Sequence, residues 1–198
     1  AYFLDFVLGG AQTGGVYEAE EVAAYGHCLL HGVTGGAGDV GDYGAVITYD
    51  PNYRARLWDD PWEAIIVMRQ PLPLVDILKV SEEELPLLSG SEDWEEGSRR
   101  LMEKGISLIL VTLGEAGCFY RLGHLTGRVH GFPAKVVDTN GAGDTFFGAA
   151  LSKLCYKDLS RLSQERLEDI LTFANRAASL STTRAGAIPA MPRLGELE

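Results

Sequence analysis

From Ala45 onward, short apolar runs alternate with longer stretches in which apolar positions recur every three or four residues. Ala45–Asp50 and Val75–Val80 are predicted buried strands, with a helix over Trp62–Gln70 between them. A second helix is expected over Ser91–Lys104, where Ser91 can cap it, Trp94, Leu101 and Met102 can face the core and Gly105 ends it. Ile106–Thr112 is a continuous β-rich run of the kind found where a parallel sheet is covered on both faces. Cys118–Arg121, Arg128–Gly131 and Lys135–Val137 follow as short, partly antiparallel strands separated by glycine turns. Two helices come last, over Ala142–Tyr156 and Gln164–Thr183, the second with Ser163 as its N-cap and Gly186 just past its end. Alternating β and α elements predict an α/β fold with a mostly parallel sheet.

The first forty-odd positions carry no such pattern. Glycines 32, 35, 36, 38, 41 and 44 crowd one short stretch and interrupt any regular element. If His27–Val33 and Ala45–Asp50 are neighbouring parallel strands, a crossover of a dozen or more residues, usually helical, must join them. The segment Thr34–Gly44 is barely long enough and not helical in composition, so a helix is expected to be missing between them.

A chain of 198 residues can bury one sizeable core, so a single domain over residues 1–198 is the first expectation. Its 46% hydrophobic and 23% charged residues are an ordinary globular balance. The net charge of −11 and the lack of any basic cluster exclude a nucleic-acid partner, since phosphate backbones demand dense Lys/Arg patches. They leave a phosphorylated small molecule open, because backbone amides and a metal ion can hold phosphates. Cys28, Cys118 and Cys155 are odd in number, widely spaced and in apolar company, as reduced thiols in a cytoplasmic protein are. The four histidines show no metal-binding spacing, no apolar run reaches membrane-spanning length and no basic region precedes the apolar N-terminal residues. A metal signature in the histidines, a membrane span and a signal peptide are therefore not expected.

The tetrapeptide Gly-Ala-Gly-Asp occurs twice, at Gly36–Asp39 and Gly141–Asp144. Only the second is followed by residues that continue as a packed helix, Thr145 to Leu151, and it has a strand candidate, Lys135–Val137, before it. Free N–H groups and the dipole at a helix start favour an anion. Glycines at 141 and 143 let the backbone approach phosphate oxygens, and Asp144 beside them could accept a proton from an attacking hydroxyl. An aspartate is a weak base, but a loose phosphoryl-transfer transition state asks mainly for positioning. The bland alternative is that Asp138 or Asp144 only caps the helix. No P-loop motif is present, and Phe146 stands where a dinucleotide fingerprint needs its third glycine.

Asp138-Thr139-Asn140-Gly141-Ala142-Gly143-Asp144 resembles the C-terminal signature of the ribokinase/fructokinase (pfkB-type) family of carbohydrate kinases. Further segments resemble that family in the same order: Asp50-Pro51-Asn52-Tyr53-Arg54 with Leu57-Trp58, Lys79-Val80-Ser81-Glu82-Glu83-Glu84, Val111–Gly117, and Phe173-Ala174-Asn175 with Gly186-Ala187-Ile188-Pro189. The resemblance implies a three-layer ribokinase-like α/β fold with a small β lid, and ATP-dependent phosphorylation of a sugar hydroxyl. Fructose is favoured, with 2-keto-3-deoxygluconate the nearest rival. It implies Asp144 as catalytic base and Gly141, Ala142 and Gly143 as the anion hole. Ser81 would lie near the ATP phosphates, Thr112, Gly114 and Gly117 would line the nucleotide site, and Asn175 would sit close to the adenine. Asn52 and Arg54 would reach the sugar or the transferring phosphate. Glu84 would help hold Mg²⁺ through water, and Asp138 with the backbone of Ala185–Ala187 resembles a monovalent-cation loop, implying K⁺. The family's β lid often supplies a dimer contact, which points to a homodimer.

Each role has a structural rival. Ser81 and Glu84 have the spacing of a capping box, Asp50-Pro51-Asn52 is good turn chemistry, and Arg54 could pair with a surface acid. Trp58 and Trp62 read as packing residues, Gly114 and Gly117 as the ends of a turn, Asn175 as a polar residue on a helix face and Glu92–Glu96 as a solvated face. Two departures from the family stand out. Ser81 replaces the commoner Asn, and the family's first sugar-binding motifs are not found, so the N-terminal portion and lid read as incomplete, with Tyr2–Val7 and Val16–Glu20 as lid remnants. Those missing motifs keep a second function class open, a non-catalytic sugar- or nucleotide-binding regulator; a dinucleotide oxidoreductase lacks its glycine turn.

Overall fold

Three buried strands form the centre of the computed structural model, which describes residues 46–155 and 157–197 and the backbone of His27–Cys28. Six strands lie in one sheet in chain order: β1 (His27–Cys28), β2 (Thr48–Asp50), β3 (Ile77–Ser81), β4 (Leu108–Thr112), β5 (Cys118–Leu122) and β6 (Leu125–Val129). By packing, the chain divides into two compact units, residues up to 111 with 120–126, and residues 112–119 with 127–198.

In the first unit every residue of β2 is buried, and β3 and β4 are buried up to their last residue. β4 up to Val111 is the unbroken apolar run that a strand covered on both faces favours, whereas β2 and β3 also bury Thr48, Asp50 and Lys79. β2 and β3 are parallel, with Thr48 opposite Ile77 and Tyr49 opposite Leu78. Asp76 ties the strand starts together. Its carboxylate accepts the Ile47 amide at 2.7 Å, and its carbonyl accepts the amides of Ser107 and Leu108 at 2.9 and 3.0 Å. Tyr49 is fully buried, and its hydroxyl finds the partner that burial demands by donating to the Met68 carbonyl at 3.2 Å.

The helix between β2 and β3, α1 (Pro61–Arg69), starts on Asp60, whose carboxylate accepts the Trp62 amide at 2.9 Å, with proline in the first helical position. It buries Ala64 and Met68, whereas Trp62 is 72% exposed, so the expectation that this tryptophan packs is not met among the described residues. After the short α2 (Leu85–Ser89) comes α3 (Trp94–Met102). Its cap is Asp93, accepting the Glu96 amide at 2.7 Å, and not Ser91, whose hydroxyl accepts the Asp93 amide and so sits two residues too early. Leu101 is buried, Trp94 and Met102 are half-buried, and Glu96 pairs on the outer face with Arg99 and Arg100.

The condition behind the missing helix, a parallel pairing at the N-terminal end, does not hold. β1 runs antiparallel to β2, with His27 opposite Asp50 and Cys28 opposite Tyr49. Antiparallel neighbours need no helical crossover, so the reason for expecting a missing helix falls away. Thr34–Gly44, the first Gly-Ala-Gly-Asp copy and the suggested lid remnants lie outside the described residues.

In the second unit, α4 (Ala142–Leu154) packs on α5 (Gln164–Ser181). α4 presents Phe146, Phe147, Ala150, Leu151 and Leu154, and α5 presents Leu167, Ile170, Leu171, Ala174 and Ala177. Ser163 caps α5 as predicted, accepting the Arg166 amide at 3.3 Å. β6 covers Leu125–Val129 and not 128–131, and Lys135–Val137 is not a strand. Val136 and Val137 are 58% and 61% exposed. The amides of Val137 and Asp138 donate to the Thr182 carbonyl at 2.8 and 3.1 Å, at the end of α5, instead of to a neighbouring strand. No described helix is long and apolar enough to cross a membrane.

Candidate active site

The start of α4 is held from two sides. Gly141 is its N-cap, with φ of 77°, and makes no side-chain cap bond, so neither Asp138 nor Asp144 caps the helix. A Cβ on Gly141 would lie 2.8 Å from the Cβ of Ala187, so the turn and the Gly186–Ala187 loop touch only because residue 141 has no side chain. Asp138 spans the same junction. One carboxylate oxygen accepts the Asn140 amide at 2.9 Å, and the other accepts the Gly186 amide at 2.9 Å. Those amides, Asn140 first, hold its carboxyl below the usual range. The structure thus brings Asp138 and the 185–187 backbone together, through an amide rather than a carbonyl.

Thr145 closes the first turn, its amide and hydroxyl both donating to the Gly141 carbonyl at 2.8 Å. The amides of Gly143 and Asp144 precede that first internal bond and have no intrahelical acceptor. Gly141, Ala142 and Gly143 are half-buried and Asp144 is exposed. The result is an anion-accepting helix start with an accessible carboxylate on its first turn, preceded by a tethered loop rather than by the predicted strand.

The turn after β4 lies in the same unit. Thr112 is half-buried, and Gly114 is exposed at φ 57° with open space around it. Gly117 has a structural reason: a Cβ there would lie 2.1 Å from the Val129 carbonyl oxygen. Asn175 is not on an open helix face. It is 5% exposed, and its amide nitrogen donates to the carbonyls of Val129 and His130 at 3.0 and 3.1 Å and to Cys118 Sγ at 3.7 Å. Burial pushes the Cys118 thiol up to about 12. The side-chain nitrogen of Asn175 thus clasps α5 to the exit of β6 and is already engaged by three acceptors.

In the first unit, the turn after β2 is held by two carboxylates. Asp50 accepts the Asn52 amide at 3.2 Å, and Glu84 accepts the Tyr53 amide at 2.6 Å. Asn52 has φ of 47°, the one positive value at a non-glycine among the described residues. Arg54 is exposed, donates to the Tyr53 carbonyl at 3.1 Å and has no acidic partner among the described residues. Glu84 also accepts the Ser81 amide at 2.8 Å while the Ser81 hydroxyl accepts the Glu84 amide at 3.2 Å, so the capping-box reading of this pair is realised. Half-buried Ser81 ends β3.

Lys79 opens the Lys79–Glu84 segment, but motif reading gave it no role. It is 6% exposed and forms an ion pair with Asp50 at 3.0 Å. The signal was available: a lysine inside the apolar run Ile77-Leu78-Lys79-Val80, one register step past Tyr49 opposite Leu78.

A directly coordinated Mg²⁺ does not fit at Glu84, because both carboxylate oxygens are engaged by amides and the residue is 6% exposed. No group of three or more His, Cys, Asp or Glu side chains suited to a metal occurs among the described residues. Mg²⁺ that arrives with ATP keeps phosphate oxygens and water as ligands, so it needs no protein cage of that kind.

The sequence profile of the pfkB family carbohydrate kinases matches residues 41–194. Fructokinase-2 of Solanum habrochaites is 40% identical over 154 residues, which are 77% of this chain and 47% of that protein. The probable fructokinase-2 of Arabidopsis thaliana is 41% identical over 150 residues, 75% of this chain and 46% of that protein. Among solved structures, a double mutant of the Vibrio cholerae O395 fructokinase with fructose, ADP and potassium ion bound aligns with a TM-score of 0.74 and 33% identity, over 81% of this chain and 52% of that one. The aminoimidazole riboside kinase of Salmonella enterica, with aminoimidazole riboside and an ATP analog, aligns with a TM-score of 0.70 and 27% identity, over 81% of this chain and 54% of that one. The chain spans about half the length of these relatives. Its fold is the mostly parallel α/β fold of ribokinase-like proteins.

Proposed function

We propose, for a chain that belongs to the pfkB family of carbohydrate kinases, that the protein transfers the γ-phosphate of ATP to a hydroxyl of a free sugar, with fructose the preferred acceptor. The observation that supports this most is the start of α4, where the Gly143 and Asp144 amides lack intrahelical acceptors beside an exposed Asp144 carboxylate. On this reading Asp144 accepts the proton of the attacking hydroxyl, and the Gly141–Gly143 backbone forms the anion hole, in which the Gly143 amide faces the phosphoryl oxygens while the Ala142 amide is engaged by the Thr139 carbonyl at 3.2 Å. Arg54, which lacks an acidic partner among the described residues, offers its guanidinium to the sugar or to the transferring phosphate, with Asn52 beside it in sequence. Ser81, Thr112 and Gly114 belong to the nucleotide on this reading, while Gly117, Asn175 and Glu84 shape backbone around ligands rather than touching them. Mg²⁺ bound with ATP supplies neutralising charge on the phosphates. The Asp138 junction with the 185–187 loop is where K⁺ would act, and the fructokinase names of the relatives are the support for fructose.

The test is ADP release by the full-length protein across a panel of sugars, alongside Asp144→Asn. Fructose should be strongly preferred, and the variant should lose nearly all turnover while still binding ATP. Turnover that survives in Asp144→Asn removes Asp144 from its role, and ATP binding without turnover of any sugar favours a regulator.

A further inference from the structure

We infer that the buried Lys79–Asp50 ion pair is a positioning pair for the turn that carries Asn52 and Arg54; the purpose of that turn rests on the kinase reading above. A buried pair is a poor way to gain stability. Removing two charges from water costs several kcal/mol per ion, and apolar residues of similar volume usually serve as well. Here the side chains of Lys79 and Asp50 are 8% and 7% exposed, on adjacent parallel strands near their C-terminal ends. In open α/β sheets that end of the strands is where ligands bind.

The pair also does something that an apolar pair could not. Lys79 Nζ donates to both Asp50 oxygens, at 3.2 and 3.0 Å, which fixes the plane of the carboxylate. The Oδ1 atom so fixed accepts the Asn52 amide at 3.2 Å, and Glu84 takes the Tyr53 amide at 2.6 Å. Between those two anchors Asn52 is held at φ 47°, a left-handed conformation that costs energy and persists only where its surroundings over-determine it. The side chain of Arg54 leaves the backbone two residues later, exposed and with no acidic partner among the described residues. Lys79 thus acts on Arg54 through Asp50 and the bent backbone, without touching a ligand.

Lys79→Met strands a buried carboxylate, so it is paired with Lys79→Arg and with the double variant Asp50→Asn/Lys79→Met. The double variant removes both charges yet keeps an oxygen acceptor at position 50. In the full-length protein, melting curves and the kinetics of fructose and ATP are read together with hydrogen exchange in the peptide covering 51–54. The folded double variant should lose about 100-fold in kcat/KM for fructose, the scale of a 1 Å misplacement, with KM for ATP unchanged. Its 51–54 amides should exchange faster while those of β3 and β4 do not, and Lys79→Arg should recover most of both effects. A double variant that folds with wild-type exchange over 51–54 and wild-type KM for fructose overturns the inference. If the wild type phosphorylates no sugar, the kinase reading fails by itself, and the exchange measurement still decides whether the pair holds the turn.

Discussion

Gly141→Ala isolates what the junction beneath Asp144 contributes. Residue 141 sits at φ 77°, where an L side chain costs about 1–2 kcal/mol. The added methyl would also lie 2.8 Å from the Ala187 Cβ and 3.1 Å from its Cα. Carbon atoms rest at about 3.5–4.0 Å, so the 186–187 loop must retreat by roughly 1 Å. Overpacking of that kind adds about 1–3 kcal/mol, for a total of about 2–5 kcal/mol. At roughly 2–4 °C per kcal/mol for a chain of this size, the melting temperature should fall by about 4–20 °C. The retreat pulls Gly186 off Asp138 and shifts the turn below Asp144, so turnover should drop by about 100-fold beyond any loss of folded protein. Thermal melts and ADP release in full-length protein read the two effects separately. Adding Ala187→Gly removes the 2.8 Å contact but leaves the backbone strain, so it should restore part of each loss. A Gly141→Ala protein that melts and turns over like the wild type refutes this reasoning, and a second substitution that restores nothing refutes its steric half.

Two further expectations follow from the same unit. Asn175→Ala leaves the buried Val129 carbonyl without this donor, at about 1–3 kcal/mol, so urea denaturation should show a lower midpoint with an unchanged slope. The Asp138 carboxyl is held below its unfolded value, so its contribution is complete above about pH 4 and is lost as pH falls through the lower folded value. Asp138→Asn should therefore lower the melting temperature at neutral pH, and the gap to wild type should close on acidification; a pH-independent gap contradicts the assignment.

The regular elements were legible where burial writes itself into composition. β4 announced itself as an unbroken apolar run and β3 as one interrupted by Lys79, and α5 by Ser163 ahead of its periodic face. Other features depend on partners that a local pattern does not contain. Val136 and Val137 have the residue type of a strand, but a strand exists only beside another, and their loop bonds to Thr182. Strand direction is not encoded in period-two patterning, so the sequence leaves a parallel neighbour open where β1 is antiparallel. Ser91 and Asp93 are both good caps two residues apart, and only the geometry chooses between them. At the candidate site, motif reading found the residues but, the Ser81–Glu84 capping box aside, not their engagements. Glu84 also holds the Tyr53 amide and Asn175 binds backbone carbonyls, while Lys79 is given no role in sequence because a lysine is expected at the surface.

The double hydrogen bond from Val137 and Asp138 to the Thr182 carbonyl makes α5 a ruler for the loop that leads to Asp144. One residue inserted between Ser163 and Thr182 would turn that carbonyl by about 100° and advance it by about 1.5 Å. The attachment point of the 137–138 backbone would then face elsewhere, even though every capping and packing residue remained in the chain. Over this helix evolution is thus free to vary letters on the outer face but not to vary their number, and homologues should differ there by substitution and almost never by gaps.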